Sequence, residues 1–187
     1  MINVSQQQIN QTFREVVTTH QRDLYLWAFR LTGNHHDAED LSQEVFIKVH
    51  ASLDGFRGEA GMKTWIYRIA VNTYLNKRRK KALTFMKLQD DIEQTMQARA
   101  GGHGVENVFR DTDAAAESNA IKAFVDKALK HLSRKEHMAF VLRHYNDLSV
   151  REVADAMQVA EGTVKSLLFR AVQKLRKHLA FIADTGK

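Results

Sequence analysis

The sequence predicts an all-α fold: two small helical domains joined by a flexible linker, the C-terminal one containing a helix-turn-helix. Three observations carry that expectation. The 187 residues include no proline and only nine glycines, and many-stranded folds use both as turn punctuation. Apolar residues recur three and four apart through most of the chain, which is the helical period. Two serine–glutamate pairs, Ser133 with Glu136 and Ser149 with Glu152, have the spacing of a capping box, in which each side chain bonds the other residue's backbone N–H at a helix start.

Taken in order, Ile9, Phe13, Val16, Val17, Leu24, Trp27, Ala28 and Leu31 make the apolar stripe of a first helix, and Gly33 is its expected stop. A second helix is expected over about 37–53, with Ala38, Leu41, Val45 and Val49 inward. Asp37, Glu39 and Asp40 load its first turn, where the helix dipole favours acids. Three glycines, Gly55, Gly58 and Gly61, mark a loop. A third helix is expected over about 62–83, with Trp65, Ile66, Ile69 and Thr73 on one face and a basic end from Lys77 to Lys81. These elements form a first domain, 5–86. From 87 to 119 the periodicity fails, and Gly101-Gly102-His103-Gly104 is the signature of a flexible linker. Helical spacing resumes at Ile121, Phe124, Val125, Ala128, Leu129 and Leu132, opening a second domain, 120–183. The two capping boxes start helices of about 12 and 8 residues, Gln158-Val159-Ala160 turns, and a last helix runs over about 161–181.

Charge is distributed in blocks. Residues 1–56 carry net −3, 57–83 net +7, 84–120 net −4 and 121–187 net +6. Two basic blocks around an acidic stretch suggest two places that hold a polyanion. The absence of cysteine excludes a disulfide framework, thiolate zinc, iron–sulfur clusters and a cysteine nucleophile. No apolar run reaches the ~20 residues of a membrane span. Residues 1–8 have neither the positive charge nor the apolar core of a secretory signal. The expected location is cytoplasmic, with no membrane insertion and no cofactor.

A short capped helix, a tight turn and a longer helix make the helix-turn-helix plan. Ala154 is small at the helix crossing, Val159 fills the turn, and Val164, Leu168, Val172, Leu175 and Leu179 form the expected buried stripe. That leaves Thr163, Lys165, Ser166, Phe169, Arg170 and Gln173 outside, on a helix with net +4 between Glu161 and His178. Such a helix can enter a major groove and reach base edges and phosphates. The third helix differs in kind. It mixes aromatics (Phe56, Trp65, Tyr67, Tyr74), amides (Asn72, Asn76) and cations (Arg57, Lys63, Arg68, Lys77) beside a glycine loop. Aromatic faces and cations there can hold unstacked bases, although Trp65 and Ile69 fit a buried face equally well.

These residues resemble a known family. Asp37-Ala38-Glu39-Asp40-Leu41-Ser42-Gln43-Glu44-Val45-Phe46, Phe56-Arg57-Gly58 and Thr64-Trp65-Ile66-Tyr67-Arg68-Ile69-Ala70-Val71-Asn72 closely resemble the N-terminal conserved domain of extracytoplasmic-function (ECF) sigma factors, of the sigma-70 family. Leu148-Ser149-Val150-Arg151-Glu152-Val153-Ala154 and Glu161-Gly162-Thr163-Val164-Lys165-Ser166 are similar to its C-terminal domain. The resemblance implies a transcription initiation subunit rather than an enzyme. Its implied partners are core RNA polymerase (the β′ clamp coiled coil and the β flap), promoter DNA and, in many members, an anti-sigma factor. By position in the motifs, Asp40, Gln43 and Glu44 would meet the polymerase. Asn72, with Arg57, Lys63, Arg68 and Asn76, would capture the −10 non-template strand, and Thr163, Lys165, Ser166, Phe169 and Arg170 would read the −35 duplex.

Two departures stand out. Leu167 occupies a position often arginine in the family, so that a DNA contact is missing or the leucine packs inward. Proline is absent before Glu161 and near Ser133, where a serine cap takes its place. Two other functions compete. A stand-alone helix-turn-helix regulator explains the second domain but not the acidic motif of the first. His35-His36-Asp37 invites comparison with a histidine–aspartate phosphohydrolase, but a metal site needs further ligands on facing helices, and the pair reads instead as exposed turn residues.

Overall fold

The computed structural model describes residues 4–92 and 128–185, with side chains over 9–84 and 128–179. The chain divides into two compact units, Met1–Glu106 and Asn107–Lys187, and each is built around its own helical core.

In the first unit, α1 (Val4–Thr32) stops where the stripe runs out. Gly33 takes a φ of +80°, a left-handed conformation that side chains resist, and its N–H donates to Phe29 O at 2.8 Å. The chain reverses in two residues and α2 (His35–Ser52) begins. Its cap is Asn34: Oδ1 accepts from the Asp37 backbone N–H at 2.8 Å and Nδ2 donates to the Asp37 carboxylate at 2.9 Å. The cap makes His35 and His36 the first turn of a helix, not turn residues as the sequence suggested. His35 also lies against α1, its Nδ1 hydrogen-bonded to the Tyr25 hydroxyl and its ring 4.7 Å from Phe29.

A single 3₁₀ turn (Leu53–Gly55) buries Leu53 and opens the expected glycine loop. Helix α3 (Met62–Ile92) then outruns its expected end. Nothing after Leu83 forbids a helix, and residues 87–92 of the expected linker belong to it. The rest of that linker, and Ile121, Phe124 and Val125, lie outside the described residues.

The inward face of α3 is rotated from the expected one. Thr64, Ile66, Tyr67, Ala70, Val71, Thr73 and Tyr74 are buried, while Trp65 and Ile69 are only half-buried. The cause is Trp27, fully enclosed on α1. Tyr67 and Tyr74 meet it edge-on at 5.9 and 6.3 Å, a geometry aromatic rings favour. These two tyrosines are therefore core, not part of a base-holding surface.

In the second unit, Ala128, Leu129 and Leu132 pack against Ala171 and Leu175, with Phe140 alongside. Both capping boxes form. Ser133 starts α4 (Arg134–His144) and Ser149 starts α5 (Val150–Met157), each with reciprocal bonds to the glutamate three residues on. Helix α5 ends on Gln158 at φ 54° and ψ 48°. After Val159 and Ala160, α6 (Glu161–Thr185) follows. Its buried stripe is Val164, Leu167, Ala171 and Leu175, with Leu168 half-buried. Val172 and Leu179, expected inside, are exposed. Ala171 explains the shift: with no side chain beyond Cβ it sits in the contact itself, and leucines on its line turn inward.

Candidate nucleic-acid interface

The outer face of α6 follows from its inner one. With Val164, Leu167 and Ala171 held in the core, positions 165, 166, 169 and 170 project away from it, since residues three and four apart share a face. Lys165, Ser166, Phe169 and Arg170 line one shallow, nearly flat groove on the outside of the helix. Thr163 is exposed beside them. All six residues expected outside on this helix, Gln173 included, are thus accessible, and four converge. Phe169 is 66% exposed, an aromatic ring offered to solvent between two cations. The Ser166 hydroxyl donates to Gly162 O at 2.9 Å, leaving its lone pairs outward. Leu167 packs inward, which resolves the departure noted in the sequence.

On α3 the core face leaves Trp65, Arg68, Asn72, Asn76 and Arg79 on the opposite side at three- and four-residue spacing. Asn76 and Arg79 are exposed, and Trp65, Arg68 and Asn72 are half-buried. Arg57 is exposed in the glycine loop, where Gly58 has a φ of +72°. The loop brings Phe56 to Trp65, with ring centroids 4.9 Å apart. Of four aromatics expected at this surface, these two are at it. Lys63 is half-buried near His20. Burial first, and then the Lys63 charge, push the His20 imidazole below its ordinary value. The strip of cations continues along α3 through Lys77, Arg78, Arg79 and Lys80.

The three residues of α2 expected to meet the polymerase separate into two kinds. Asp40 and Gln43 are exposed. Glu44 is half-buried and shared by two lysines: Lys48 Nζ at 2.7 Å and Lys77 Nζ of α3 at 3.3 Å. Burial opposes its ionisation, but the lysine hydrogen bonds outweigh that and hold the carboxyl below the usual range. Lys48 also donates to Thr73 at 3.1 Å, and Lys81 Nζ lies 3.8 Å from the Asp37 carboxylate. Glu44 therefore fastens α2 to α3 as well as facing outward. Ile47, missed by the sequence reading, shares the face of Asp40, Gln43 and Glu44 and is 68% exposed. An apolar residue on a helix reads as core by default, so only the packing separates it from Val45 and Val49.

Among the described residues no three histidine, aspartate or glutamate side chains cluster as metal ligands. No described helix is long and apolar enough to cross a membrane.

The family model of Sigma-70 region 2 matches residues 16–84, and that of Sigma-70 region 4 matches residues 125–175. The chain is 30% identical over 167 residues to the ECF RNA polymerase sigma factor SigW of Bacillus subtilis, covering 89% of this chain and 88% of the relative. It is 33% identical over 135 residues to the ECF RNA polymerase sigma-E factor of Escherichia coli, covering 72% and 70%. Among solved structures it is similar to the sigma factor RpoE of Bartonella quintana, crystallised with the anti-sigma factor NepR. The TM-score is 0.69 at 25% identity, over 91% of this chain and 98% of the other.

Proposed function

Since this chain belongs to the ECF RNA polymerase sigma factors, we propose that it directs core polymerase to promoters by gripping DNA in two states, paired at one unit and unpaired at the other. The groove of α6 supports the paired half and is the observation that carries the proposal. Lys165, Ser166, Phe169 and Arg170 converge there on a helix of the width a major groove admits. In this assignment Arg170 and Lys165 bond base edges or phosphates of the −35 element, Ser166 and Thr163 supply hydroxyls, and Phe169 packs on a thymine methyl. The face of α3 supports the unpaired half. Phe56 and Trp65 offer ring faces to extruded −10 bases, Asn72 and Asn76 offer amide edges, and Arg57, Lys63 and Arg68 hold the strand's phosphates.

The outward face of α2 is the docking surface for core polymerase. Asp40 and Gln43 supply polar contacts and Ile47 an apolar anchor, with Glu44 held in place by its lysines. The β′ clamp coiled coil is the partner for this face, and the β flap for the second unit. The chain acts in the cytoplasm with the polymerase. An anti-sigma factor would bind as NepR binds its own sigma factor, the similar RpoE.

Run-off transcription with purified core polymerase tests the division of labour on matched duplex and pre-melted templates. Asn72→Ala is expected to lower output about tenfold on the duplex and to be largely rescued by pre-melting. Arg170→Ala, removing one charged contact worth ~1–3 kcal/mol, loses output on both. Equal behaviour of the two variants on the pre-melted template contradicts the assignment.

A further inference from the structure

Glu136 serves two helices at once. It is the third residue of α4, where Oε2 accepts from the Ser133 backbone N–H at 2.8 Å, completing the capping box. The same carboxylate meets α6, with Lys174 Nζ donating to Oε2 at 2.7 Å and Arg170 Nε 3.7 Å from Oε1. Its side chain is only 5% exposed. A carboxylate so enclosed is costly once its cations are removed, so the start of α4 and the outer flank of α6 are held to each other through it.

The two cations are left in different positions. Lys174 lies one turn beyond Arg170, does not line the groove, and spends its charge in a direct hydrogen bond to the carboxylate. Arg170 lines the groove while its Nε end leans on Glu136, and its side chain stays 59% exposed. A guanidinium is a planar fork of five donors. At 3.7 Å the Glu136 contact is an ion pair and not a hydrogen bond; it draws the Nε edge of the fork toward α4 and leaves the two terminal nitrogens for a partner in the groove.

We propose that Glu136 is a specificity-determining positioning residue, which from α4 orients the Arg170 guanidinium for paired DNA and withholds Lys174 from phosphate contact. This rests on the assignment of α6 as the duplex reader. An arginine without this anchor meets phosphates of any sequence as readily as one base edge, and phosphate contacts carry no sequence information. Loss of the Glu136 charge thus exchanges discrimination for general attraction.

The test uses polymerase assembled with this chain and a fully paired duplex library randomised at its centre. Glu136→Gln keeps an amide oxygen for the Ser133 N–H, so the capping box can survive. It is expected to retain or increase total bound DNA, while enrichment of the sequence selected by the wild-type chain falls about tenfold. Unchanged enrichment overturns the proposal. So does a parallel fall in total and enriched DNA, which is what a purely structural role produces. Lys174→Met supplies an independent reading: the salt dependence of binding is expected to stay as in the wild type. A log–log slope shallower by about one means that Lys174 holds a phosphate, and overturns the proposal. If the wild-type chain itself enriches no duplex, the assignment of α6 has failed, and the part given to Glu136 falls with it.

Discussion

Leu167 and Arg170 stand three residues apart on α6 and do opposite work. One is in the core and the other is 59% exposed in the groove. The sequence left Leu167 open between an absent DNA contact and a core position, because a stripe through Val172 was as periodic as one through Ala171. Only packing against Ala128 and Leu129 decides between them. His137 is the residue with the clearest pH consequence. Its ring is half-buried in the second unit, with Nε2 enclosed and without a hydrogen-bond partner among the described residues. Burial lowers its pKa to about 4 from the ordinary 6.5. The unfolded chain therefore binds this proton near pH 6.5 and the folded chain only near pH 4, so stability falls as the pH drops through that window. The full loss amounts to at most about 3 kcal/mol. Urea unfolding of the second unit's core, followed from pH 7.5 to 4, is expected to show this slope, and His137→Phe to flatten it. An equally steep profile in the variant contradicts the burial of a neutral imidazole.

At the level of elements, the sequence was most legible where local chemistry decides the structure. The glycine stop at Gly33 and both serine caps form as their residue types require. The expected helices of the second unit meet the observed 11 and 8 residues within one. Less legible were features set by partners distant in sequence. The inward face of α3 depends on Trp27, and the end of α3 has no breaker to announce it. The cap of α2 was missed because Asn34 precedes two histidines that look like turn residues, although an asparagine with an aspartate three residues on is a recognisable signal. On the candidate surfaces, spacing already turned the polar residues of α6 outward, whereas Ile47 was hidden by its apolar character and the double duty of Glu44 by a lysine on another helix. The turn between α5 and α6 supplies a test of element-level strain. Gln158 adopts a left-handed conformation in which a side chain costs ~1–2 kcal/mol and glycine costs little. Gln158→Gly is expected to raise the stability of the second unit by about 0.5–1 kcal/mol, read as a higher urea midpoint at constant m value. A lower midpoint contradicts the account of this turn.

Across the whole molecule, the blocks of charge now have addresses. The first basic block, 57–83, lies on the loop and α3, and the basic outer face of α6 lies in the second, 121–187. In each unit the apolar stripe that builds the core also fixes which cations face away from it, so folding and the proposed DNA surface come from one pattern. Site-specific photo-crosslinking in the promoter complex formed by this chain and core polymerase tests that account most directly. A crosslinker at position 169 is expected to label both strands of paired DNA near −35, and one at position 72 only the non-template strand near −10, where the duplex is open. Labelling of paired upstream DNA from position 72, or of no DNA from position 169, contradicts it.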